Sequence, residues 1–164
     1  MSCHAADDEA TLGEARLKGV TVVYSVAGKY ERSDIAEEVA PGANDPWVKS
    51  KSDKFLNTDL EKILKDKSIR TVIVTGNSAN GAVLYTGTGA VLRGLKVIAP
   101  VDGISANELY EEQITVWHLA NGPGFGGQVT ITQSSSKDVF RRSTARNEAE
   151  RCTYHSQIFA SVLT

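Results

Sequence analysis

The segment TVIVTGNSANGAVLYTGTGAVLRGLKVIAPVDG, residues 71–103, sets a run of glycines between two apolar stretches, and Gly76-Asn77-Ser78-Ala79-Asn80-Gly81 is where chemistry could sit. An apolar strand that delivers its backbone to the start of a helix presents amide N–H groups, which can receive a carboxylate, an oxyanion or a polarised carbonyl. Gly76 and Gly81 have phosphate-loop spacing, but Ala82-Val83 stand where that loop needs a lysine and a hydroxyl, so nothing would hold the outer phosphates or magnesium. Gly87-Thr88-Gly89 is half of a dinucleotide fingerprint, placed inside the following helix instead of at its mouth. Each glycine in a helix interior costs about 1 kcal/mol relative to alanine. These two therefore read as packing residues, and Gly94 as the helix stop.

The remaining reactive side chains are sparse. Cys3 and Cys152 are the two cysteines, too few and too far apart for a disulfide framework or a zinc site, and they point to a reducing compartment. His4, His118 and His155 are isolated from one another and from carboxylates at ligand spacing, so neither a metal nor another cofactor is expected. A net charge of -2 with interspersed signs provides no field to gather nucleic acid or anionic lipid. The longest apolar runs are far shorter than the roughly 20 residues of a membrane span. MSCHAADDEA has no basic region followed by an apolar core and is no secretory signal, so a cytoplasmic protein acting on a small molecule is expected.

The elements that would position the glycine turn follow from periodicity. EATLGEARLKG reads as the end of an amphipathic helix stopped by Gly19, and VTVVYSVAG, residues 20–28, as a strand covered on both faces. Residues 29–54 break up around Pro41, Gly42 and Pro46 and read as a long excursion with at most one helical turn near IAEEV. Thr58 with Glu61 suggests a capping box for TDLEKILKDKS, whose stripe is Leu60, Ile63 and Leu64. Strand and helix then alternate: TVIVT, a helix over 79–93, LKVIAPV, a helix near ANELYEEQITVWHLAN, and QVTIT. Strands separated by helices form an α/β fold with a parallel sheet covered on both faces. Residues 134–164 gather Ser, Arg and Glu and read as an extension, helical or poorly ordered, beyond a domain over 1–133.

Three stretches in order carry a resemblance to the isochorismatase-like cysteine hydrolase family: VKSKSDKFLNTDLEKIL, TVIVTGNSANGAVLYTGTGA and GLKVIAPVDGIS, across roughly residues 6–133. The first is similar to the family's lysine followed six residues later by phenylalanine, matched by Lys49 and Phe55. The second is similar to its strand, glycine and nucleophile-bearing helix, and the third to its next strand with a terminal aspartate, Asp102. The resemblance implies a three-layer, Rossmann-like parallel sheet and a catalytic group of first-strand aspartate, lysine and cysteine. By it, Lys49 takes the lysine position, with Lys51 and Lys54 as rivals, and Ala82 takes that of the nucleophile. Phe55, Asn77, Ser78, Ala79, Asn80 and Gly81 would line the substrate pocket.

The sequence departs from the family in two ways. Ala82 has no nucleophilic atom, which excludes thiol chemistry there, although isochorismatase-type members also lack the cysteine and cleave a vinyl ether by acid catalysis. The family's first strand and its aspartate have no counterpart, because this chain begins within the helix; Asp7 and Asp8 precede or lie on it. An N-terminally shortened domain is expected, with unpaired backbone on the two neighbours of the lost central strand. The implied activity is hydrolysis of a small carboxylate- or amide-bearing substrate, impaired by these losses. A non-catalytic member kept for binding or homo-oligomerisation is the alternative, the Gly, Ala and Thr of residues 81–90 suiting close association.

Overall fold

The computed structural model describes residues 12–133. A helix over 12–17 (α1) buries Leu12 and Ala15 and ends near Gly19, whose φ of +69° is a left-handed geometry that glycine adopts without a Cβ clash. Then come β1 (Tyr24–Val26), two 3-10 turns, β2 (Trp47–Lys49), α2 (Leu60–Asp66), β3 (Thr71–Ile73) and β4 (Gly76–Asn77). A π-helical turn (Ala79–Val83) runs directly into α3 (Leu84–Leu92), followed by β5 (Lys96–Pro100), β6 (Ile104–Ser105), α4 (Leu109–Asn121) and β7 (Val129–Thr132). The expected α/β class with parallel strands stands.

Among the described residues every strand pair is parallel: β1 with β2, β3 with β5, β5 with β7, and the short β4 with β6. Successive strand residues point to opposite faces, and this separates two cores. Val22, Tyr24 and Val26 join Leu12, Ala15, Ile35 and Val39 on one side, while Val23 joins Leu60, Leu64, Val72, Val74, Val97 and Ala99 on the other. The two-stranded and three-stranded sheets therefore share one apolar layer beneath α2 and α3.

Several expectations need correction. Only Tyr24–Val26 of the apolar run over 20–28 is a strand, because β2 supplies just three partner positions, Trp47, Val48 and Lys49. Those partners lie in the stretch read as excursion: three residues after Pro46 are too few for periodicity to register. The capping box of α2 does not form. Thr58 Oγ1 accepts from Leu60 N at 3.2 Å, whereas Glu61 turns outward to Lys65 at 2.6 Å and to Arg93 at 2.9 Å. The helix expected over 79–93 begins as a π turn, and α4 instead carries a capping box, between Glu108 and Glu111.

Bond directions show which strand edges meet no partner among the described residues. Tyr24 and Val26 direct their backbone groups to β2, with Tyr24 N donating to Pro46 O and Ser50 N donating to Val26 O. Val72 and Val74 likewise face β5, so the N–H and C=O of Ser25 on β1 and of Ile73 on β3 point away from their paired neighbours. Among the described residues no strand pairs with either edge. Residues 134–164, the expected extension, lie outside the described residues, as do Cys3, His4, Asp7, Asp8, Cys152 and His155.

The glycines of α3 are explained within the chain. A methyl added at Gly87 would stand 2.9 Å from Leu119 Cδ2 of α4, and one at Gly89 would meet Asp53 Oδ1 at 3.0 Å and Phe55 Cδ2 at 3.2 Å. Leu119 is fully buried and has little room to move. The expected outcome is that Gly87→Ala lowers unfolding free energy in urea by about 1–2 kcal/mol, overpacking outweighing alanine's better helix propensity. A gain in stability would show that α3 and α4 can separate at no cost.

Candidate functional site

β3 passes through Val74 and Thr75 to Gly76, whose φ of +108° is open to glycine but strained for other residues, and this turns the chain toward α3. The next peptide, Asn77–Ser78, is cis. Ser78 carbonyl oxygen accepts from Gly81 N and from Val83 N, each at 3.2 Å, which curls Ala79–Val83 into the π turn. Gly81 is required by the curl: a Cβ there would lie 2.6 Å from Ser78 Oγ. The residues expected to form the anion-receiving turn, Asn77 through Ala82, thus occupy one tight bend at the carboxyl end of β3. Strand ends of this kind are where open α/β sheets bind ligands.

Neighbouring elements hold the bend. Asn77 Nδ2 donates to Ser105 O at 3.3 Å, where β4 pairs with β6, and Asn80 Nδ2 donates to Glu111 Oε1 at 2.7 Å on the first turn of α4. Ala79 is wholly buried, while Gly81 and Ala82 are half-buried. Ala82 offers only a methyl and its backbone. Asp102 lies in the 3-10 turn Val101–Gly103 that follows β5.

Lys49 is the last residue of β2, also at a strand's carboxyl end, and its Nζ bonds Glu31 Oε1 in the loop after β1. Among the described residues no hydrogen bond or ion pair joins Lys49 to residues 77–82. Glu31 is the group that sequence reasoning missed. Nothing in RSD or IAEEV marks it, because the pairing spans the loop between β1 and β2 and depends on their parallel register.

Phe55 and Lys54 sit deeper. Phe55 is buried in the main core with the Arg93 guanidinium 4.4 Å over its ring, so it supports α3 from beneath. Lys54 is 1% exposed. Its backbone N–H donates to Thr86 Oγ1 of α3 at 3.1 Å and its Nζ donates to Lys51 O at 2.8 Å. Burial pulls its ammonium down to about 8, against the opposing influence of neighbouring Asp53. Of the three lysines in this stretch, Lys49 reaches a carboxylate at the rim, Lys51 is exposed, and Lys54 fastens the loop to α3.

Comparison with known proteins gives these features a context. The family model described as Isochorismatase domain matches residues 10–134. An uncharacterised isochorismatase family protein of Bacillus subtilis, YaaI, is 31% identical over 93 residues, which are 56% of this chain and 51% of that protein. The chain thus spans about half the length of the curated relative it matches. Among solved structures, an isochorismatase family protein from Desulfovibrio vulgaris superposes with a TM-score of 0.70 at 15% identity, covering 80% of this chain and 81% of that one. N-carbamoylsarcosine amidase from Thermoplasma acidophilum gives 0.67 at 19%, covering 82% and 84%, and a nicotinamidase from Staphylococcus aureus gives 0.60 at 19%, covering 69% and 76%.

The lowered Lys54 pKa has a consequence for stability. Between about 8 and the ordinary lysine value of 10.5 the unfolded chain binds the proton that the folded chain has released, so this contribution rises with pH across that window. Relative to Lys54→Met, the unmodified protein should gain on the order of 2 kcal/mol from pH 7 to pH 10.5, allowing for partial solvent screening. Denaturant titrations of both proteins across that range check it. A constant difference would mean that Lys54 keeps its ordinary pKa.

Proposed function

Because the chain belongs to the isochorismatase domain family, we propose that it is a hydrolase of a small carboxylate- or amide-bearing molecule, held at the rim where Lys49, Glu31 and the Ser78–Ala82 turn stand. The observation that carries this reading is the Lys49–Glu31 pair at the carboxyl ends of β1 and β2, the same end of the strands at which β3 delivers the turn. The chain passes from β2 to β3 through α2, and strand–helix–strand units favour parallel strands, which supports a shared rim. Carbonyl-directed hydrolysis is the chemistry suggested by two similar structures, a nicotinamidase and an N-carbamoylsarcosine amidase.

Without a thiol at Ala82 the reaction takes a non-covalent course. Water attacks the substrate carbonyl carbon, Glu31 accepts the water proton, and the carbonyl π electrons move onto oxygen. Lys49 and the turn amides offset that charge, and collapse of the adduct expels the leaving group as it takes the proton back from Glu31. Impaired turnover is part of this proposal, because a solvated carboxylate and no nucleophile make a weaker catalytic group than three converging side chains. A cytoplasmic setting belongs to it too; among the described residues no helix is long and apolar enough to cross a membrane. Homo-oligomerisation is supported by exposed Tyr85, Tyr110 and Trp117, while Leu119 and Phe55 already cover the small residues of α3.

A binding-only member is the second reading, and Ala82 favours it: the position that the family resemblance gives to the nucleophile carries no attacking atom. Hydrolysis of isochorismate and of nicotinamide-like amides should be measured with the unmodified chain, Lys49→Ala and Glu31→Gln. Loss of about 100-fold or more in kcat/KM in each variant is the expected outcome, the size usual for removing a charge-stabilising or proton-carrying group. Turnover indifferent to Lys49 would remove it from the site. Saturable binding of a small carboxylate with no turnover would establish the binding reading.

A further inference from the structure

The bend from Asn77 to Ala82 is built mostly of small residues. Ala79, Gly81 and Ala82 have no side-chain polar atom, and Gly81 brings a backbone with more freedom than any other residue. Such a turn needs holding from outside if its amides are to keep one direction. Both of its asparagines reach across to one place, the corner where β6 leads into α4. Asn77 Nδ2 donates to Ser105 O at 3.3 Å, and Asn80 Nδ2 donates to Glu111 Oε1 at 2.7 Å. The first bond accompanies a ladder, because Asn77 already pairs with Ser105 between β4 and β6. The second is shorter and has a carboxylate as acceptor, which makes it the stronger of the two.

Glu111 is committed at its other oxygen as well. Oε2 accepts from Glu108 N at 3.2 Å in the capping box that starts α4, and Glu111 O accepts from Thr115 Oγ1 at 2.7 Å one turn further along. One carboxylate thus joins a helix start to the turn, with each oxygen on a different element. Its neighbour provides a contrast: Glu112 Oε1 accepts from Ala106 N at 3.1 Å, a bond made inside the corner. A carboxylate has acceptors only, so it holds the Asn80 amide by its NH2 side and in one orientation.

We propose that Glu111 is a positioning residue for the Ser78–Ala82 turn, its carboxylate acting through Asn80 to fix the direction in which the turn amides meet developing negative charge. The role rests on the reading of that turn as the charge-receiving part of a hydrolytic site. Misdirected donors lose their effect on a transition state steeply with small displacements, so a bond outside the chemistry can govern its rate.

Two measurements on Asn80→Ala, Glu111→Ala, their combination and Glu112→Ala test it. The first is residue-resolved amide hydrogen exchange at Gly81 and Val83, whose N–H groups are bonded to Ser78 O. Exchange there should quicken by about 10-fold or more in Asn80→Ala and in Glu111→Ala and stay unchanged in Glu112→Ala. Val74 and Val97, bonded to Ile98 O and Gln128 O, should stay protected in all and report an intact fold. Asn80→Asp/Glu111→Gln exchanges donor and acceptor while a glutamine oxygen still accepts from Glu108 N, and it should restore slow exchange at Gly81 and Val83. The second measurement is turnover of a nicotinamide-like amide. Here kcat should fall by about 10-fold in either single alanine variant with KM within about 3-fold, and the combination should fall no further.

Unchanged exchange at Gly81 and Val83 in both Asn80→Ala and Glu111→Ala would overturn the proposal whatever the turnover. Quickened exchange with kcat unaltered would overturn it too, leaving the hydrolase reading in place. Absence of turnover in the unmodified chain would overturn the hydrolase reading, and with it the catalytic part of this role, while the exchange data decide by themselves whether Glu111 holds the turn.

Discussion

Backbone hydrogen bonding across a parallel sheet is the constraint on which the rest of this structure depends. Each strand must satisfy two edges, and a buried peptide group left without a partner costs about 1–3 kcal/mol. Among the described residues, β1 and β3 are paired on one side only. The β1–β2 ladder is three residues long, and alternation over residues 22–26 sends Val23 to one apolar cluster and Val22, Tyr24 and Val26 to the other. What keeps the halves together is side-chain burial: Val23 and Val48 from the smaller sheet share a layer with Leu60, Leu64, Val72 and Val97, so the apolar effect spans a discontinuity that the ladder does not.

The site is arranged from the same layer. Phe55 and Asp53 rise under Gly89, Leu119 presses against Gly87, and Thr86 receives the backbone of Lys54, which together hold α3 close to the sheet and present its first turn at the strand ends. Small residues in this helix are therefore used inside the chain, where they set the height of the Ser78–Ala82 bend. Burial of Lys54 is a cost of that arrangement, since its ammonium loses water and gains the carbonyl of Lys51 in exchange. Lys49, only five residues earlier, is delivered by β2 to the exposed rim, where it pairs with Glu31. Neighbouring lysines in sequence thus acquire different chemistry from depth alone.

How much of this was legible in the chain depends on whether a signal was local. Apolar runs and their spacing identified β3, β5, β7, α3 and α4, and the forbidden space at Gly87 and Gly89 was readable as packing because glycine inside a helix needs a steric reason. The absence of a nucleophile at Ala82 and of a phosphate-loop lysine follows from residue identity, which no fold can change. By contrast β2 was hidden, since a three-residue strand has no period, and so was Glu31, which meets Lys49 only because β1 and β2 align in parallel. The cap of α2 went to a different use when Arg93 arrived from α3 to bind Glu61. By itself, then, the sequence determined the class of fold and the thiol chemistry that Ala82 cannot perform, because these depend on short-range periodicity and side-chain type. Tertiary structure alone decided which carboxylate meets Lys49 and how deep Lys54 lies, because these depend on distances between segments that only packing sets.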